Sequence, residues 1–196
     1  MIFTMIFNLS KANMTLPKFT AILVFGDSTV DSGNNNYIKT WVKGNFKPYG
    51  KDFPSHIPTG RFSNGKLIPD FIASSFGIKE SVPPFLDPTL SDNEIVTGVN
   101  FASAGSGYDE ATTLLTNALS PKKQVDLFKS YIPRLERVVG QEKAKEILNG
   151  ALVIISAGTN DWTFNFYDLI LRRLSFNVDQ YQDFLLTEMR TILVIN

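Results

Sequence analysis

The stretch Phe25-Gly26-Asp27-Ser28-Thr29-Val30-Asp31-Ser32-Gly33-Asn34-Asn35-Asn36 decides the reading of this chain. It follows Ala21-Ile22-Leu23-Val24-Phe25, an apolar run with no polar alternation. Such a run is expected of a parallel strand buried on both faces. The run stops at Gly26, and a serine follows two residues later, where the backbone has to turn. A serine at a strand end, with its hydroxyl above the sheet, is where an α/β hydrolase holds its nucleophile. Asp27 and Ser28 can equally cap a helix that follows a strand. The triplet alone leaves both readings open.

Two more apolar runs end in comparable turns. Gly98-Val99-Asn100-Phe101-Ala102-Ser103-Ala104-Gly105-Ser106-Gly107 reads as a short strand running into small residues. Its turn could cradle a phosphate, as in a flavodoxin-like binder, or expose backbone amides to a developing oxyanion. It lacks both a Walker lysine and the Gly-x-Gly-x-x-Gly spacing, which argues against a nucleotide. Ala151-Leu152-Val153-Ile154-Ile155-Ser156-Ala157 is another fully apolar strand, followed by Gly158-Thr159-Asn160-Asp161. The Asn160 amide there is either an Asx turn or cap, or a donor that does not titrate.

Taken together, the three blocks resemble the GDSL esterase/lipase family of the SGNH hydrolases, in its plant form. The resemblance also takes in Pro48-Tyr49-Gly50-Lys51-Asp52-Phe53-Pro54 and Pro58-Thr59-Gly60-Arg61-Phe62-Ser63-Asn64-Gly65-Lys66. The family's namesake leucine is Thr29 here. The resemblance implies a carboxylic ester hydrolase working through an acyl-enzyme. Ser28 is then the nucleophile, while its own amide, the Gly105 amide and the Asn160 side chain hold the oxyanion. Asp27 shapes the turn and Asn100 orders the second one. No cofactor or metal is implied, and the expected partner is a small-molecule or lipid ester. A non-catalytic binding protein that keeps the groove is the rival reading.

The family's base and its orienting acid form an Asp-x-x-His block late in the sequence, and no aspartate here has a histidine three positions on. His56, the single histidine, lies in a proline-rich loop four residues after Asp52 and reads as a surface residue. The resemblance covers about residues 20 to 190. Another third or more of a typical family member would follow, so the chain reads as C-terminally truncated. Residues 20–196 are expected to be a partial hydrolase domain, and 1–19 an N-terminal extension or degenerate signal segment. The family implies secretion, but Met1–Phe7 is a short apolar start without a preceding Lys or Arg. Asn8-Leu9-Ser10 and Asn13-Met14-Thr15 fit the glycosylation triplet.

Composition agrees with a soluble globular protein. The 196 residues are 43% hydrophobic and 19% charged, with 19 basic against 19 acidic side chains, a balance that disfavours nucleic acid as partner. The absence of cysteine excludes disulfides, a thiol nucleophile and cysteine-bound metal. No run approaches the ~18 apolar residues of a membrane span. The 16 phenylalanines point to a Phe-rich core rather than an acyl surface.

Helices are expected over 121–139 with a kink at Pro133, over 142–149 ending at Gly150, over 164–174, and from 179 to about 195. A further helix should follow a cap at Ser63 or Asn64, presenting Ile68, Phe71, Ile72 and Phe76 on one structural face. Strands alternating with helices predict a mainly parallel sheet covered on both faces, and the resemblance implies the flavodoxin-like, three-layer α/β/α fold of the SGNH hydrolases with its C-terminal part missing.

Overall fold

A computed structural model describes residues 18–193, the side chains as far as residue 192. The N-terminal signal reading and both glycosylation triplets lie outside that range, except that the expected extension over 1–19 reaches into residues 18 and 19.

The first apolar run forms strand β1 (Ile22–Gly26), and the last forms β2 (Leu152–Ser156). They pair in parallel, Ile22 with Leu152 through Gly26 with Ser156. Residues 99–103 flank β1 on its other side. There the Val24 amide donates to Val99 O, and the Phe101 and Ser103 amides donate to Val24 O and Gly26 O. Three extended segments thus run side by side in one direction, with β1 in the middle. The parallel α/β class expected from the apolar runs is what forms.

β1 is buried on both faces because helices cover both. Ala21 and Leu23 pack with Tyr131 and Leu135 of α4 (Pro121–Val139) and with Ala144 and Ile147 of α5 (Gln141–Asn149). Ile22 and Val24 pack with Ala73 of α1 (Ile68–Ser75) and with Val82. Phe25, Phe101, Phe128 and Tyr131 stack or meet edge-on, with ring centroids 5.0 to 6.2 Å apart. Aromatic pairs at such spacing add to the area they bury. Phe101 is fully buried there, with Phe25, Phe85 and Phe128 partly buried against it, whereas Phe46 and Phe71 are exposed. β2 is less covered: Val153 and Ile155 are 51% and 46% exposed.

Two short helices complete the frame, α2 (Asp92–Val96), capped by Ser91, and α3 (Glu110–Thr116), capped by Asp109. α4 continues through Pro133 without a break in its helical span. The last helix, α6, spans Val178–Leu193, and the end expected near Ile195 lies outside the described residues. No described helix is long and apolar enough to cross a membrane.

Three local expectations are corrected. The cap of α1 is neither Ser63 nor Asn64. Leu67 precedes the helix, and Asp70 Oδ2 accepts its amide at 2.8 Å, while Ser63 Oγ accepts the Gly65 amide instead. The expected apolar face of α1 is only partly used. Ile68 and Phe71 are 69% and 59% exposed, and the helix buries Pro69, Asp70 and Ala73. Asp70 is drawn inward because Arg61 meets it there in a two-pronged ion pair, both bonds 2.9 Å.

The helix expected over 164–174 is not one helix. A wide π-helical segment spans Asp161–Asp168, and a single 3-10 turn covers Arg172–Leu174. Ile170 separates them at φ 51°, a left-handed conformation that β-branched residues rarely adopt and that ends the winding. Inside the first segment, Asn165 donates to Thr112 Oγ1 at 2.5 Å, a tertiary bond that local spacing could not foretell.

Candidate active site

Ser28 is half-buried in a turn that starts where β1 ends. The turn closes when the Val30 and Asp31 amides donate to Asp27 O. The Asp27 amide donates to Ser156 O at 2.9 Å, which anchors the turn to the end of β2. Asp27 Oδ1 accepts the Thr29 amide at 2.9 Å and its hydroxyl at 2.7 Å, so Asp27 shapes the turn as expected. Its buried Oδ2 has no partner among the described residues. Gly26 must be glycine here: it has φ 138°, and a Cβ would sit 1.9 Å from Ser156 O.

Polar side chains of this first block then bind the second block. Asn34 Nδ2 donates to Asn100 O and Ala102 O, both at 2.9 Å. Asn35 Nδ2 donates to Ala104 O at 2.9 Å, and Asn35 Oδ1 accepts from Ser103 Oγ. Asn100 Nδ2 donates to Val30 O, and its Oδ1 accepts the Ala102 amide, which is the turn-ordering role expected of it. Asp31 Oδ1 accepts the Gly33 and Asn34 amides at 2.8 Å, and its Oδ2 accepts the Ala104 amide at 2.9 Å.

Gly105 comes next, buried and at φ 87°. Its carbonyl accepts from Thr116 Oγ1 at 2.9 Å, and a Cβ on it would meet Thr116 Cβ at 2.8 Å. Ser106 Oγ donates to Gly26 O at 2.8 Å, joining this loop to the strand end just before Ser28. Asn160, buried at the start of the π-helical segment, donates through Nδ2 to Ser106 O at 2.8 Å. A chain of bonds therefore runs from Asn160 through Ser106 to Gly26, and the three motifs meet at one end of the sheet. Among the described residues, neither the Ser28 amide nor the Gly105 amide donates to another protein group. Asn160 Nδ2 keeps one N–H beyond the bond to Ser106.

Several supporting residues gave no signal in the sequence reading. Gln124 of α4 pairs with the Gly26 peptide in both directions, its Oε1 accepting the amide and its Nε2 donating to the carbonyl, each at 2.9 Å. Asp161 accepts the Tyr108 and Asp109 amides and the Thr112 hydroxyl. Asp109 in turn is bound twice by Arg172. Burial pushes the Asp31 and Asp161 carboxyls up to about 6, against N–H and O–H bonds that pull them down. Burial also raises Tyr108, helped by the nearby Asp161 and Asp27 charges.

His56 is exposed, and its Nδ1 bonds to Lys51 O at 2.7 Å, as befits a loop residue. Among the described residues no three His, Cys, Asp or Glu side chains gather to hold a metal ion.

A serine turn, a glycine loop and an asparagine meet at one end of a parallel α/β sheet, the fold class of the SGNH family. Residues 22–192 match the GDSL-like Lipase/Acylhydrolase family, and the chain belongs to it. It is 60% identical over 179 residues to GDSL esterase/lipase At1g06990 of Arabidopsis thaliana, covering 91% of this chain and 50% of that protein. GDSL esterase/lipase At2g30220 of the same plant is 56% identical over 90% of this chain and 50% of its own length. A third Arabidopsis relative, GDSL esterase/lipase At1g58430, is 53% identical over 93% of this chain and 51% of itself. The chain thus spans about half the length of the curated relatives it matches. No solved structure gives a significant match.

Proposed function

We propose that the site hydrolyses carboxylic esters, of small molecules or lipids, with Ser28 as nucleophile. Ser28 Oγ adds to the acyl carbon as its proton leaves to a base. The carbonyl oxygen becomes an oxyanion held by the Ser28 amide, the Gly105 amide and the Asn160 side chain. Collapse expels the alcohol and leaves an acyl-enzyme, which water then cleaves.

The observation that carries this reading is selective. The amides flanking Gly105 are engaged, Ala104 with Asp31 and Ser106 with Ser103 O, while among the described residues those of Gly105, Gly107 and Ser28 have no partner. Donors held in a rigid frame and lacking a partner suit a charge that develops only during reaction. His56, the single histidine, is engaged with Lys51 O in an exposed loop and is not assigned as the base, so this reading places no base among the described residues. In this reading the 196 residues alone carry nucleophile and oxyanion donors but react slowly. The same gap supports the rival, a family member that binds esters without turnover.

Incubation with an alkyl fluorophosphonate, followed by peptide mapping, tests the assignment. A covalent adduct on Ser28, lost when Asn160 is changed to alanine, is expected. An adduct on another serine with Ser28 unmodified overturns it.

A further inference from the structure

We propose that Asp31 and Asp161 are positioning residues that clamp the loop 104–109 between the turn carrying Ser28 and the residue after Asn160. The inference rests on the reading of Gly105 and Asn160 as oxyanion donors. Asp31 lies three residues beyond Ser28 and is fully buried, and its Oδ2 takes the Ala104 amide at 2.9 Å, one residue before Gly105. Asp161 adjoins Asn160, is also fully buried, and its Oδ2 takes the Tyr108 amide at 2.8 Å. Asp161 Oδ1 takes the Asp109 amide at 3.1 Å and Thr112 Oγ1 at 2.6 Å. The loop is held at both ends by carboxylates from the other two motifs. A Cβ on Gly107 would lie 2.2 Å from Asp161 Oδ1, so the loop approaches that carboxylate as closely as glycine allows.

Neither carboxylate touches a site where substrate chemistry takes place. Their effect is to fix where the Gly105 amide and Asn160 side chain point. Displacement of such donors by ~1 Å is enough to lose ~10²-fold in rate. The clamp needs ionised carboxylates, because every oxygen involved already receives a donor. Facing Asp161 are Asp109, Tyr108 and Tyr181, with Arg172 beyond Asp109. Among the described residues, Asp31 is faced by the amides of residues 33–35 and 104 and by no charged side chain that shifts it. Since burial holds both groups near 6, the clamp should loosen under mildly acidic conditions.

Amide hydrogen exchange on the 196-residue chain from pH 7.5 to 5 tests this. We expect D161N, which turns one of the two acceptor oxygens into an NH2 donor, to lower protection of the Tyr108 amide by ~10-fold, the loss of about one hydrogen bond, while the oxygen it keeps still holds Asp109 and Thr112, and to leave Ala104 unchanged. D31N should do the reverse. The unaltered chain should itself lose protection at all three amides below pH ~6, a step that each variant abolishes at its own end. Ser28-dependent cleavage of p-nitrophenyl butyrate should fall ~10–100-fold in kcat in either variant, with KM unchanged. Unchanged protection in both variants and no acid step in the unaltered chain would overturn the clamp, and so would unchanged kcat in variants whose protection is lost. If S28A cleaves the ester as fast as the unaltered chain, the oxyanion reading fails instead, and the exchange data judge the clamp separately.

Discussion

Gln124 and Gly26 are 98 residues apart in the chain, yet the glutamine amide pairs with both the N–H and the C=O of that one glycine at 2.9 Å. Gly26 O has further donors in Ser103 N and Ser106 Oγ, whereas Gly26 N has Gln124 alone among the described residues. Removing the amide therefore orphans a buried donor. Q124A should lower stability by ~1–3 kcal/mol in urea unfolding, a desolvation penalty rather than a lost packing contact. Q124E, which keeps an acceptor for the amide, should lose less than Q124A if the Gly26 N–H is the critical partner. A Q124A stability within ~0.5 kcal/mol of the unaltered chain would contradict this account.

That contact marks the limit of what could be read from sequence. The three strand-turn blocks were legible because each is local: an apolar run followed at once by Gly, Asn or Ser. β1, β2 and α4 formed where expected for the same reason. Gln124 bonds across 98 residues and nothing in its neighbours announces it, whereas Asp31 and Asp161 stand inside the motif blocks and only their partners, 73 and 53 residues away, were hidden. The segment after Asn160 looked helical by its apolar spacing. It winds instead as a π-helical segment that Asn165 ties to Thr112, and it stops at the left-handed Ile170. α1 shows the converse: Ile68, Phe71 and Ile72 keep helical spacing, but the buried ion pair on Asp70 turns that helix inward along another line.

The Arg61–Asp70 pair offers a second test. Both groups are nearly inaccessible, at 5% and 1%, and Arg61 also donates to Ser32 O and Val82 O. Removing one partner strands the other charge. R61A should cost ~3–5 kcal/mol, enough to unfold a marginal domain at room temperature. A paired replacement, R61M with D70L, should recover part of that loss. Thermal melts of the two variants beside the unaltered chain decide it, and an R61A melt unchanged within error would contradict the pair's role.

A third prediction follows from the two raised carboxyls. Asp31 and Asp161 bind protons more tightly folded, near 6, than at the ordinary value of 3.8. The stabilisation from that proton uptake is fully present below ~3.8 and is lost as pH rises through about 6. Relative to D31N, which is neutral throughout, the unaltered chain should therefore gain stability as pH falls from 6.5 to 4.5. Chemical unfolding of both at the two pH values measures it. A relative loss of stability on acidification would mean the folded carboxyl is depressed instead. Loop protection moves the opposite way over the same range, which keeps the clamp separable from global stability.

The central claim is that Ser28 attacks esters with oxyanion help and without a base of its own. The most direct measurement is p-nitrophenyl butyrate hydrolysis by the purified, monodisperse 196-residue chain, beside S28A and N160A. The account predicts a slow rate that disappears in S28A and falls by ~10²–10³-fold or to background in N160A. Against a full-length relative such as GDSL esterase/lipase At1g06990 it should be lower by at least the ~10²–10⁴-fold that general-base help supplies. Turnover matching that relative and abolished by S28A would contradict the missing base, and turnover untouched by S28A would contradict the nucleophile itself.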